Sequence, residues 1–313
     1  MFSIFVFFIL SAYSSAATLG SKDNGCVDFI ALGDWGVDNQ AVPIKVAEAM
    51  AKYASENPVD FIVTSGDNFY PDGVNSEDDF QFDYKWRDVY NQQSIKDLTW
   101  YITVGNHDYG NSGSGVEHNQ VTFGNTEPRW NFPQLYYSFT KSLGNDKTVK
   151  FIMVDSQGFR RKQNNYLRQR AFVQEEIRNP ADWTIVIFHH PFYNVGGHTG
   201  SETMLREVLI PIINDGGRVD MVIAGHDHNL QHMSHRNGTN TQFYVSGGGG
   251  ARLYALNEEK VEVLRRRGVD LEYFKSSHGF SAIHICDDEA TVKFIDDDGE
   301  EIYSNIQQPR KYK

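Results

Sequence analysis

The sequence predicts an α/β fold in which helices flank a β sandwich of two sheets. Three observations lead there. Short apolar runs of buried-strand length recur, helical candidates separate them, and beyond Gly225 the helices give way to strands of antiparallel character. The strand-like runs are residues 27–32, 61–65, 100–104, 184–188 and 221–224, and the helical candidates between them are 41–55, 171–177 and 202–213. Past Gly225, residues 242–246, 280–286 and 291–295 read as antiparallel strands with one helix at 258–267, giving a second sheet packed on the first. The glycine run 247–250 lacks the helix and downstream acid of a dinucleotide loop and reads as a flexible turn. The acidic run 296–301 reads as a solvated hairpin tip.

Composition narrows the function. With 40% hydrophobic and 13% aromatic residues in 313, the chain has apolar side chains enough for a large core, which excludes a disordered or collagenous protein. Lys and Arg number 29 against 41 Asp and Glu, a net charge of −12, which argues against general attraction to nucleic acid or anionic lipid. Two cysteines are too few for a disulfide framework or a cysteine-built zinc site, so any metal is held by oxygen and nitrogen. Cys26 and Cys286 end two strand-like runs and either pair, if those strands are neighbours, or remain separate buried thiols; the sequence leaves both open. Residues 2–10 are an apolar run followed by small residues through Ala17, the pattern of a secretory signal, although no Lys or Arg precedes Lys22. A signal at 1–17 leaves 18–313 as the mature chain in an extracellular, vacuolar or lysosomal space. The sequon Asn237-Gly238-Thr239 is consistent with a glycoprotein on that route.

The five strand-like runs stop alike. They meet Gly33-Asp34-Trp35-Gly36, Gly66-Asp67-Asn68-Phe69-Tyr70, Gly105-Asn106-His107-Asp108, His189-His190-Pro191 and Gly225-His226-Asp227-His228. Each delivers a metal-ligand residue type just past a strand, where α/β folds bind ligands. His226 and His228, two apart in an extended segment, face one pocket while Asp227 points away, and only one of His189 and His190 can enter directly. Singly, each of these residues has an ordinary reading as a cap, turn or surface histidine. Together, two carboxylates, an asparagine and three histidines suit Fe, Mn or Zn, and their number implies two ions.

In order and spacing, GDWG, GDNFY, GNHD, the VxxH ending at His189 and GHDH resemble the purple acid phosphatase branch of the calcineurin-like metallophosphoesterases, in its small, tartrate-resistant form. The blocks span Gly33 to His228. The resemblance implies a four-layer αββα fold, Fe(III) on Asp34, Tyr70 and His228, a divalent ion (Fe(II), Zn or Mn) on Asn106, His189 and His226, and Asp67 between them. Tyr70 stands in for the histidine that most metallophosphoesterases place where this chain has Gly36. Since a phenol ionises near pH ~10, a strongly Lewis-acidic ion such as Fe(III) fits it. His107 and His198 are implied as phosphate donors, one of them protonating the leaving group; for His198 a loop histidine without a role is the competing reading.

The activity so implied is acid hydrolysis of phosphate monoesters by attack of a metal-bound hydroxide on phosphorus. The substrates would be phosphorylated small molecules or phosphoproteins, with no nucleic acid partner and no stable membrane anchor. A phosphodiesterase or nucleotide hydrolase of the same fold, and a non-catalytic scaffold, are the alternatives. A basic segment, Arg160, Arg161, Lys162, Arg168 and Arg170, reads as solvated charge that also offsets the repulsion an anionic substrate meets from this acidic chain.

Overall fold

The structure, a computed structural model, describes residues 25–110, 115–179, 181–198, 206, 210, 219–236 and 241–309. The signal-like segment 1–17, the sequon at Asn237 and most of the expected helix at 202–213 lie outside the described residues.

Strands β1 (Val27–Leu32), β2 (Phe61–Thr64), β3 (Thr99–Tyr101) and β4 (Trp130–Asn131) run parallel in one sheet. A second sheet holds β5 (Tyr137–Gly144), β6 (Lys147–Met153), β7 (Trp183–Ile187), β8 (Met221–Ala224), β9 (Leu230–His235), β10 (Gln242–Ser246) and β11 (Val269–Lys275). The chain then returns to the first sheet with β12 (Gly279–Ile285), β13 (Ala290–Asp296) and β14 (Glu301–Gln307), antiparallel beside β1. The orders are β14-β13-β12-β1-β2-β3-β4 and β11-β9-β10-β8-β7-β6-β5. The helices are α1 (Ala41–Glu56), α2 (Glu117–Gly124), α3 (Ser156–Arg161), α4 (Tyr166–Arg178) and α5 (Glu258–Arg266).

Strand periodicity explains the layering. Phe151, Ile185, Ile187, Met221 and Ile223 point into the core between the sheets, where the Phe29 and Phe151 rings meet at 5.2 Å; their neighbours Ile152, Val186 and Val222 point outward to Val173 and Ile177 of α4 and Leu264 of α5. Strands buried on both faces read as unbroken apolar runs, which is why these were visible in the sequence. The expected helix at 171–177 extends back to Tyr166.

The sheet assignment needs correction. The five polar-ended strands do not share a sheet: β1, β2 and β3 belong to one and β7 and β8 to the other. The late strands are likewise divided, β12 and β13 joining the first sheet. Strand β10, expected to be antiparallel, is parallel to β8 and antiparallel to β9. The pairing of strands remote in sequence is a tertiary choice that local pattern does not encode. Residues 102–104 continue β3 without ladder pairing. The acidic tip between β13 and β14 is as expected, with Asp297 and Asp298 paired to Lys45. Cys26 and Cys286 form a disulfide, since β1 and β12 are neighbours with Val27 opposite Ile285.

Candidate metal centre

The site lies where the carboxyl ends of parallel strands from both sheets meet. Asp34 and Asp67 follow β1 and β2, Asn106 and His107 follow the β3 segment, His189 follows β7, and His226 and His228 follow β8. The apolar neighbours of the ligand-type residues fix them to the core. Trp35 and Phe69 are fully buried and their rings meet at 5.8 Å. Asp34, Asp67 and His226 adopt left-handed backbone, with φ of 62°, 53° and 69°. Each costs about 1–2 kcal/mol, which the burial of rings such as Trp35 and Phe69, about 2–3 kcal/mol each, offsets. His226 therefore does not lie in the extended segment expected, although its ring and that of His228 still turn to the same region.

Two trios of donor atoms result. Tyr70 Oη lies 3.1 Å from Asp34 Oδ1 and 3.3 Å from His228 Nε2, and His228 Nε2 lies 3.4 Å from Asp34 Oδ1. His189 Nε2 lies 3.2 Å from Asn106 Oδ1 and 3.2 Å from His226 Nδ1. Asp67 Oδ2 is 3.2 Å from His189 Nε2, and the Asp67 charge also bears on the Tyr70 phenol, so Asp67 stands between the trios. Ligands about 2.1 Å from one cation lie about 3.0–3.4 Å from each other, the spacing of all three pairs in the first trio and of both His189 pairs in the second.

The donor chemistry fits metal. His189 Nδ1–H donates to the Ser65 carbonyl at 2.8 Å and His228 Nδ1–H to the Arg252 carbonyl at 2.8 Å. Carbonyls only accept, so each Nε2 presents a lone pair to the carboxylates, and such a gathering of acceptors calls for a cation. Without one the demand falls on protons. Burial opposes charge on His189, yet Asp67 and Asp34 push it up to about 9; burial opposes ionised Asp67, yet His189 holds it at about 2. For Tyr70, burial and then Asp67 and Asp34 raise the phenol well above its ordinary range, so only a strongly acidic cation would ionise it.

Glycines keep the centre compact. A Cβ on Gly36 would fall 1.7 Å from the Asn68 carbonyl oxygen, so this backbone admits no histidine there. A Cβ on Gly105 would fall 2.2 Å from Asp67 Oδ1. The 247–250 turn is wedged against the site, a Cβ on Gly247 falling 2.2 Å from the Asp227 carbonyl oxygen.

His107 Nδ1–H donates to the Pro71 carbonyl at 2.6 Å, its N–H donates to Asp67 Oδ1 at 2.8 Å, and its ring lies 4.1 Å from that of Tyr70. The His198 ring stacks on His226 at 3.7 Å. Sequence reasoning missed the supporting groups. Asp227 accepts from His198 Nδ1; Asp108 accepts the N–H groups of Asn68, Phe69 and Gly105 and ties two ligand loops together. His190 is also buried among the imidazoles, its nitrogens engaged by Ser156 and Arg160. A third cluster, Cys26, His284 and Cys286, has its sulfurs tied in the disulfide.

A family profile described as calcineurin-like phosphoesterase matches residues 28–230. Purple acid phosphatase 17 of Arabidopsis thaliana is 29% identical over 90% of this chain and 84% of its own, and tartrate-resistant acid phosphatase type 5 of Mus musculus is 27% identical over 91% of each. Among solved structures, GAP50, the anchor in the inner membrane complex of Plasmodium, superposes with a TM-score of 0.75 at 23% identity over 92% of this chain and 90% of its own. The family profile and the purple acid phosphatase relatives imply a binuclear metal site. Among the described residues, no helix is long and apolar enough to cross a membrane.

Proposed function

The chain belongs to the calcineurin-like phosphoesterase family, and from that premise we propose that it is a binuclear acid phosphatase of the purple type, cleaving phosphate monoesters. The observation that carries this reading is the pair of donor trios sharing Asp67, with a tyrosine in one of them. Asp34, Tyr70 and His228 would hold Fe(III), Asn106, His189 and His226 would hold Fe(II), Zn or Mn, and Asp67 would contact both. Bound there, such a pair supplies Lewis acidity toward phosphoryl oxygens and an activated water.

The remaining steps fall to the chain. His107, anchored through Nδ1 on Pro71, presents Nε2 to the phosphoryl oxygens. His198, anchored through Nδ1 on Asp227, presents Nε2 to the leaving oxygen and supplies its proton. Acidic pH is favoured because water bound to a ferric ion in the tyrosine-bearing trio would stay ionised there. A binding role like that of an anchor is the second reading, motivated by the GAP50 likeness; retention of all seven donor side chains argues for catalysis. The disulfide and the apolar run at 2–10 favour an oxidising, secreted or lumenal setting.

Turnover of p-nitrophenyl phosphate and bis(p-nitrophenyl) phosphate by metal-replete protein tests this. The monoester should be cleaved on the order of tenfold faster or more, with an optimum below about pH 7. Faster diester cleavage, or an alkaline optimum, would overturn it.

A further inference from the structure

The basic segment noted in the sequence places one member at the metal centre. Helix α3 begins at the carboxyl end of β6, beside the β7 end that carries His189. From it Arg160 donates through Nη1 to His190 Nε2 at 2.7 Å and to Gln157 Oε1 at 3.2 Å. A guanidinium cannot accept, so His190 Nε2 is the bare nitrogen and its Nδ1–H faces Ser156 Oγ at 2.8 Å. His190 is fully buried, with its ring 4.5 Å from that of His226. Arg160 is thus separated from the proposed divalent site by one imidazole.

Its charge is not neutralised. Among the described residues no carboxylate pairs with Arg160, whose side-chain contacts are His190 and Gln157, and the ionic neighbour it feels is Arg161, whose own guanidinium lies 5.6 Å from the Tyr109 ring centroid. Burial first, then Arg161, lowers the Arg160 pKa from the ordinary guanidinium range. A half-buried cation without a counter-ion, with N–H groups still to share, is a receptor for an oxyanion, and the fork of a guanidinium grips two oxygens at once.

We propose that Arg160, held by His190 and Gln157, binds a second anionic group beside the scissile phosphate, so that the preferred substrates are phosphomonoesters whose alcohol portion carries a carboxylate or phosphate. Arg160 reaches the metal centre through one side chain, His190, whose ring lies 4.5 Å from that of His226. This rests on the phosphatase reading for its biological sense but not for its test.

The test is calorimetric titration of metal-replete full chain with phosphonoacetate, which carries the second anion, and with ethylphosphonate, which does not; neither is hydrolysed as a phosphate ester. Wild type should bind phosphonoacetate about tenfold tighter or more, Arg160→Gln should erase that difference, and Arg160→Lys should keep part of it. An undiminished difference in Arg160→Gln, or none in wild type, overturns the proposal. Phosphoglycolate hydrolysis is followed in parallel to separate the two readings. An Arg160-dependent preference without turnover of any ester upholds the anion site and sinks the phosphatase reading, whereas turnover without that preference does the reverse.

Discussion

The Asp227 carboxylate takes the Nδ1–H of His198 at 2.9 Å and the His198 backbone N–H at 3.0 Å. Its other oxygen takes the Gly196 N–H at 3.0 Å. One buried acid thus fixes the ring tautomer and the loop that carries it. In Asp227→Asn, kcat for a monoester should fall about 10–100-fold, the usual loss when such a partner of a functional histidine is changed, with KM shifting less. An unchanged kcat would mean that His198 is not held for chemistry by this contact.

Tyr70 sits where its hydroxyl touches Asp34 and His228. With iron bound, ionised phenol should give visible charge-transfer absorption. In Tyr70→Phe that band should vanish while the far-ultraviolet circular dichroism stays the same, and activity should drop at least about tenfold. Colour retained in this variant would remove Tyr70 from the ligand set.

The disulfide closes a sequence separation of 260 residues between neighbouring strands. Chain-entropy reasoning gives an upper figure of about 5.6 kcal/mol for a loop of that length, and strain or residual unfolded structure usually reduces it. Cys286→Ser should therefore cost about 2–5 kcal/mol in denaturant unfolding. A loss under about 0.5 kcal/mol would mean that the pairing does not form or does not constrain the unfolded chain.

His232 is buried between the Tyr303 hydroxyl at 2.8 Å and Gln242 Oε1 at 2.7 Å. Burial pushes its pKa down from 6.5 to about 4. Between those values the unfolded chain binds the proton and the folded chain does not. This group's contribution to stability is therefore full above pH 6.5, declines as pH falls toward 4 and changes little below it. The loss amounts to about 3 kcal/mol, and His232→Gln should flatten the stability curve over that window by a comparable amount. An identical curve in the variant would show that His232 is already protonated or solvated in the fold.

Burial on both faces made β1, β2, β7 and β8 legible in the sequence, each as an apolar run stopped by a ligand-bearing turn. The sheet-edge strands β4, β5, β11 and β14 were missed for the opposite reason: they are short or half-exposed, with polar residues on both faces. Position in a motif identified the side chains that crowd the centre. It did not identify Asp227, Asp108, His190 or Arg160, because their significance lies in the partners they meet across the fold.

Anomalous diffraction from crystals of metal-replete protein tests the binuclear centre most directly. The expected result is two peaks about 3.5–4 Å apart flanking Asp67, one ligated by Asp34, Tyr70 and His228 and the other by Asn106, His189 and His226. A single peak, or a pair that leaves Tyr70 or Asp67 more than about 3 Å from any metal, would contradict it.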